Sequence, residues 1–153
     1  MKWMGDFETT TAKRKAEDGT SHVWAVGLCE IGNPENIIIL KTIEEFISWC
    51  ESRPENDYIW FHNLRFDGNF IVQHLLKTGY KYASSPKEKK TRTFTTTISD
   101  KSLWYQVEIY FKVNGKKVKK VIDSHAHYDD KAFDEDREEV IKQKLLLLLL
   151  LQQ

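Results

Sequence analysis

Little in this 153-residue sequence points to oxidation, export or a membrane. It has two cysteines, Cys29 and Cys50, at neither a close nor a metal-type spacing, so no disulfide framework or cysteine-based zinc site is legible and a reducing cytoplasm is the expected setting. The opening stretch MKWMGDFETT lacks the apolar segment of a signal peptide. Apart from seven leucines at Leu145 to Leu151 there is no long apolar run, and seven is well short of the roughly 20 residues a membrane span needs. Charge of one sign is also missing: Lys+Arg and Asp+Glu both number 23, which removes net charge as an argument for nucleic acid while leaving a local basic patch open. There is no internal repeat. The length suits about one domain, so any large-enzyme reading is the reading of a fragment.

What is present reads as alternating strands and helices. Lys2 to Thr10 is β-compatible, and HVWAVGLCEI followed by NIIIL makes two more strands rich in β-branched and aromatic residues. Thr42 with Glu45 three residues on forms a capping box, and Ile43, Phe46, Ile47 and Cys50 recur at helical spacing. YIWFH is a short apolar strand, and Phe66, Phe70, Ile71 and Leu75 mark a second helix that Gly79 ends. A lysine-rich loop from Ser84 to Lys90 leads to three alternating segments, TRTFTTTIS, LWYQVEIYFKV and KKVKKVIDS, with a tight hairpin at Asn114-Gly115. The parts make an α/β domain with an antiparallel component. After Ser124 the chain turns strongly acidic, then helix-like, then into the leucine run. The expected division is a domain over 1–124 and an atypical helical tail over 125–153.

Asp6 and Glu8, two apart on the first strand, point to one face. Two carboxylates there repel unless a cation lies between them, and such oxygen ligands suit Mg²⁺ or Mn²⁺. The plainer alternative is a solvated strand face. Asp67 falls where the YIWFH strand gives way to a helix, a place where an acid also serves as a simple helix N-terminal charge. His62, Asn63 and Phe66 crowd the same junction.

Together these stretches resemble the proofreading 3′–5′ exonuclease domain of family B DNA polymerases, specifically the protein-primed polymerases of bacteriophages and linear plasmids. DFETTT is similar to that family's first exonuclease motif, and FHNLRFDGNFI to its second, with its core at Asn63, Phe66 and Asp67. The resemblance covers about residues 2–124 and implies a ribonuclease H-like fold with a mixed sheet and flanking helices. It further implies that Asp6, Glu8 and Asp67 hold two metal ions, Mg²⁺ or Mn²⁺, for phosphodiester hydrolysis. Thr9, His62, Asn63, Phe66 and Ser124 match positions that grip the 3′ end of single-stranded DNA. The expected partners are that DNA end and the polymerase domain of a full-length relative, in the host cytoplasm if the chain is of phage origin. The lysines at 87, 89, 90, 112, 116, 117, 119 and 120 either track a DNA backbone or protect a sheet edge.

Two features depart from the family. Its third motif, Tyr-x-x-x-Asp, is missing: Tyr128 is followed four positions on by Ala132. Instead VIDSHAHYDDKAFDEDREEV resembles the opening of TatD-type metal-dependent deoxyribonucleases, which implies metal ligation by His125 and His127 with Asp130 nearby. The shared Val121 to Ser124 suggests a junction of unrelated segments, a recombined or artificial frame. A catalytic fragment, a DNA-binding module without turnover and a misassembled product are the three expectations this leaves.

Overall fold

The computed structural model describes residues 1–10, 21–61, 64–98 and 105–124. Among the described residues eight strands and two helices follow in the order β1 (Lys2–Thr9), β2 (Val23–Glu30), β3 (Asn33–Leu40), α1 (Ile43–Ser52), β4 (Asp57–Phe61), α2 (Leu64–Lys77), β5 (Lys81–Tyr82), β6 (Thr93–Ile98), β7 (Tyr105–Val113) and β8 (Lys116–Asp123). A single 3-10 turn at Pro86–Glu88 interrupts the lysine-rich loop. All eight strands form one sheet in the order β3-β2-β1-β4-β8-β7-β6-β5. The pairs β1–β2 and β2–β3 are antiparallel, and β1–β4 and β4–β8 are parallel. The mixed sheet and its flanking helices are those of a ribonuclease H-like α/β fold, as the resemblance implied.

Local chemistry accounts for the element ends. Thr42 accepts a hydrogen bond at 3.1 Å from the Glu45 backbone N–H, the first half of the capping box. The Glu45 carboxylate closes the other half one residue early, accepting from the Lys41 N–H at 2.7 Å. Helix α2 stops where Gly79 takes φ +89°, and the Tyr80 N–H reaches back to the Leu75 carbonyl at 2.9 Å. At the β7–β8 turn Asn114 and Gly115 both have positive φ, 49° and 77°, the conformation a two-residue hairpin demands.

Strand alternation puts Trp3, Gly5 and Phe7 of β1 on the face that both helices cover. Phe7 meets Phe46 of α1 edge-on at 5.3 Å and Phe61 of β4 at 4.8 Å, and Ile71 and Leu75 of α2 complete the same core. Gly5 has no room for a side chain, because a Cβ there would lie 2.7 Å from two ring carbons of Phe61. Since Phe61 is fully buried, Gly5→Ala is expected to cost about 1–3 kcal/mol by overpacking. Urea unfolding measures this, and an unchanged midpoint would show that the ring swings aside freely.

One expectation is corrected here. The sequence pattern grouped Lys120 with solvated, edge-protecting or DNA-tracking lysines, yet β8 lies inside the sheet between β4 and β7 and the edges are β3 and β5. Lys120 points into the helix-covered face and is completely buried. Its ammonium donates to the carbonyls of Arg53 and Glu55 and, at 2.7 Å, to the Asp57 carboxylate, which uses all three of its protons. Asp57 in turn accepts from Trp3 Nε1 at 3.1 Å and from Arg53 Nε at 2.8 Å. The Arg53 guanidinium lies 4.9 Å from the ring centres of both Trp3 and Trp49.

Candidate carboxylate site

Strand β1 runs through the interior of the sheet, paired to β2 on one side and β4 on the other. Asp6 and Glu8 are half-buried and share the face opposite the helices. The β1–β2 register slips just after Glu8: Glu8 pairs with Ala25 and Thr9 with Val23, leaving Trp24 as the extra residue of a bulge, 46% exposed. Bulges re-aim side chains and tighten local twist, and this one lies between Glu8 and half-buried Thr9.

The third acid comes from the neighbouring parallel strand. Helix α2 begins at Leu64, just past the end of β4, and Asp67 lies in its first turn. A surface acid placed there for the helix dipole would be exposed, with its charged form favoured. Asp67 behaves oppositely: it is 5% exposed, and burial first, then the charges of Asp6 and Glu8, push its carboxyl up to about 7. The three acids therefore share one electrostatic site. Among the described residues no group of three His, Cys, Asp or Glu side chains is arranged to hold a metal ion; the acids are linked by the repulsion that Asp6 and Glu8 exert on Asp67. A carboxylate set that repels itself and offers only oxygen donors fits a hard divalent cation better than a transition metal seeking nitrogen or sulfur.

Other residues singled out from sequence are distributed unevenly. His62 and Asn63 lie outside the described residues, as do the side chains of Arg65 and Phe66, although the backbone of Phe66 is in α2. Ser124 is half-buried directly after β8. His125, His127 and Asp130 also fall outside the described residues.

Sequence reasoning overlooked Asp123. It is 5% exposed at the end of β8, level with Trp60 of β4, and accepts hydrogen bonds from Tyr58 Oη at 2.6 Å and Gln106 Nε2 at 3.1 Å. Burial and this carboxylate hold the Tyr58 phenol well above its ordinary range. The available signal was an acid following the apolar pair Val121 and Ile122 at the end of a strand beside the β4 strand that leads to Asp67.

No family model matches the chain. Among curated proteins, the DNA polymerase of Bacillus phage Nf is 40% identical over 112 residues, 73% of this chain, and that of Bacillus phage phi29 is 36% identical over 112 residues. The DNA polymerase of Streptococcus phage Cp-1 is 25% identical over 121 residues. Among solved structures, phi29 DNA polymerase complexed with single-stranded DNA superposes with a TM-score of 0.63 at 28% identity, covering 79% of this chain and 20% of that one. The ternary complex of the same polymerase with primer-template DNA and incoming nucleotides gives 0.62 at 32% identity. The tail's resemblance to TatD-type enzymes has no counterpart among these relatives. The chain spans 18% of the length of the Nf and phi29 polymerases it matches. Sequence and fold agree, and the chain belongs to the family of phi29-type phage DNA polymerases, as the homologue of a segment about a fifth of their length.

Proposed function

We propose that residues 1–124 are the 3′–5′ proofreading exonuclease domain of a protein-primed family B DNA polymerase, hydrolysing single-stranded DNA from its 3′ end, with 125–153 lying outside that domain. The observation that carries this reading is the electrostatic coupling of buried Asp67 to Asp6 and Glu8. It supports the reading because two elements far apart in sequence, β1 and α2, bring Asp6 and Glu8 within electrostatic reach of Asp67, and a divalent cation would relieve that repulsion. The phage relatives are DNA polymerases, and the solved phi29 structures include one complexed with single-stranded DNA.

In this reading Asp6, Glu8 and Asp67 hold two divalent ions, Mg²⁺ or Mn²⁺. When bound, the ions supply Lewis acidity toward the phosphodiester and toward water. The chain's own part is to fix the donors: β1 sets the spacing of Asp6 and Glu8, and α2 places Asp67 where water is largely excluded and charge interactions are strong. Thr9, His62, Asn63, Phe66 and Ser124 grip the 3′-terminal nucleotides, with Phe66 packing on sugar or base. In a full-length relative the other partner is the polymerase domain.

The test is incubation with 5′-labelled single-stranded DNA and Mg²⁺ or Mn²⁺. Stepwise shortening from the 3′ end is expected, and is expected to disappear in Asp6→Ala and Asp67→Ala. A second reading, a DNA-binding module without turnover, is favoured by the missing Tyr-x-x-x-Asp motif. DNA retained by a folded chain without shortening identifies that module and overturns the enzyme.

A further inference from the structure

The two edges of the sheet are built differently. Among the described residues β5 closes one side with only two residues, one of them Lys81, and the lysine-rich loop follows it. A strand that short, set among charges, offers a second chain little to pair with. The other edge is β3, eight residues long, with β2 on one side and no strand of the described residues on the other. Its second half reads Asn36-Ile37-Ile38-Ile39-Leu40, without a charge or a proline, and Ile39 is 49% exposed. A long, apolar, unprotected edge presents a row of backbone N–H and C=O groups to a strand that matches it.

The strand that matches it is β3 itself. In an antiparallel ladder a residue that turns its N–H and C=O toward the partner faces another that does the same, and such residues alternate along each strand. Two identical strands therefore pair odd residues with odd and even with even, about a twofold axis perpendicular to the sheet. Centred on Ile38, the pairing sets Ile37 against Ile39 of the second copy and Asn36 against Leu40. It also sets exposed Glu35 against exposed Lys41, the residue just past the strand. Opposite charges meet at both ends with isoleucines between them, and cross-strand pairs of both kinds are stabilising. Moving the centre to Ile37 brings Glu35 against Ile39 and Pro34 against Leu40, and moving it to Ile39 sets Lys41 against Ile37. Ile38 and Leu40 already pack on the core beneath the helices, and Ile37 rests on Ala25 of the open face, so Ile39 is the isoleucine that pairing has most left to cover.

We propose that β3 is a self-association edge: two copies of this chain pair their β3 strands antiparallel, centred on Ile38, into one continuous sheet. The twofold axis keeps both helix layers on one side, so the two sets of Asp6 and Glu8 look out of the same opposite face. Asp6, Gly27 and Ile39 stand in one row across β1, β2 and β3, which puts the seam strand about 10 Å from Asp6. One strand pair buries less than a standard interface, so the dimer forms at high protein concentration and dissociates on dilution. The proposal does not depend on what the acids do.

The experiment is sedimentation velocity of the full chain over a range of concentrations, with amide hydrogen exchange followed at Ile37 to Leu40. EDTA is present throughout, so that no cation bridges the acids of two copies. The wild type is expected to pass from monomer to dimer, and amides of β3 to gain protection as it does so. Glu35→Lys and Lys41→Glu each place like charges at both ends of the seam and are expected to weaken the dimer roughly tenfold. An equimolar mixture of the two variants sets opposite charges together again and is expected to recover wild-type affinity as a mixed dimer. Both residues are exposed, so the reversals leave the fold intact, which melting temperatures check. A wild type that stays monomeric at every concentration overturns the proposal. So does association that neither charge reversal weakens or that leaves the β3 amides unprotected, which assigns the contact to another part of the chain, such as the leucines at 145–151.

Discussion

Asp57→Ala is expected to remove about 3–5 kcal/mol of stability, the usual consequence of breaking a buried ion pair from one side. Without the carboxylate, the Lys120 ammonium keeps its two backbone carbonyls but loses its counter-charge, with its side chain wholly out of solvent. Arg53 loses its two hydrogen bonds to the same group, at 2.8 and 3.0 Å. Burial alone would raise the Asp57 carboxyl, but the hydrogen bonds and charges of Arg53 and Lys120 outweigh it and hold the group down at about 2, below its ordinary 3.8. A depressed carboxyl stabilises the fold above its unfolded value and ceases to do so as pH falls from about 3.8 through 2. Urea unfolding should therefore show a wild-type loss of stability across that window that Asp57→Ala lacks. A variant within 1 kcal/mol of the wild type at pH 7 would mean that the network contributes little, as fully optimised apolar replacements of such pairs sometimes reveal.

Asp67→Asn is expected to move stability in the opposite direction. The Asp67 carboxyl sits at about 7 in the fold against an ordinary 3.8. A raised carboxyl favours the fold fully below the unfolded value, and that contribution is lost as pH rises through about 7. At pH 8 in EDTA the wild type therefore carries an ionised Asp67 repelled by Asp6 and Glu8, and the neutral amide relieves this. Allowing for partial solvent screening, the gain is about 2 kcal/mol, roughly 8 °C in melting temperature for a domain of this size. The difference should shrink as pH falls below about 7 and nearly vanish only below about 3.8, where the carboxyl is protonated in the unfolded chain as well. Mn²⁺ at pH 8 should raise the melting temperature of the wild type more than that of the variant. If Asp67→Asn melts lower than the wild type at pH 8 without metal, the three acids do not strain the fold and the cation argument fails.

The sequence carried the local chemistry well and the long-range environment poorly. Thr42 with Glu45, Gly79 and Asn114-Gly115 act through bonds to near neighbours, and each is found doing so. Asp6 and Glu8 were assigned to one strand face by period two alone, and that face is where they lie. The row KKVKK hid Lys120, because an alternating strand with lysine at both phases gives no sign which phase is inward. Its inward position depends on β4 pairing beside it, which aligns Lys120 with Asp57. The short β5 was missed because two residues carry no period. Asp67 was legible through the family resemblance and ambiguous through helix-start chemistry. Its burial and its repulsion by the acids of β1, both products of tertiary structure, could not be read from the sequence.

The order of strands also has a bearing on how the chain folds. Strands β1 to β3 form one antiparallel run and β6 to β8 another, so each can zip from neighbouring segments with modest loop closure. The parallel seams β1–β4 and β4–β8 join residues far apart in the chain, such as Lys2 with Tyr58 and Asp57 with Lys120. Such contacts form slowly, because ordering a long loop precedes any return from the contact. Asp6 and Asp67 stand on opposite sides of the first seam, and the Asp57–Lys120 pair spans the second. The refolding chain is thus expected to gain most of its hairpin structure early and to bring its acidic residues together late, so that metal affinity would lag behind the recovery of strand signal.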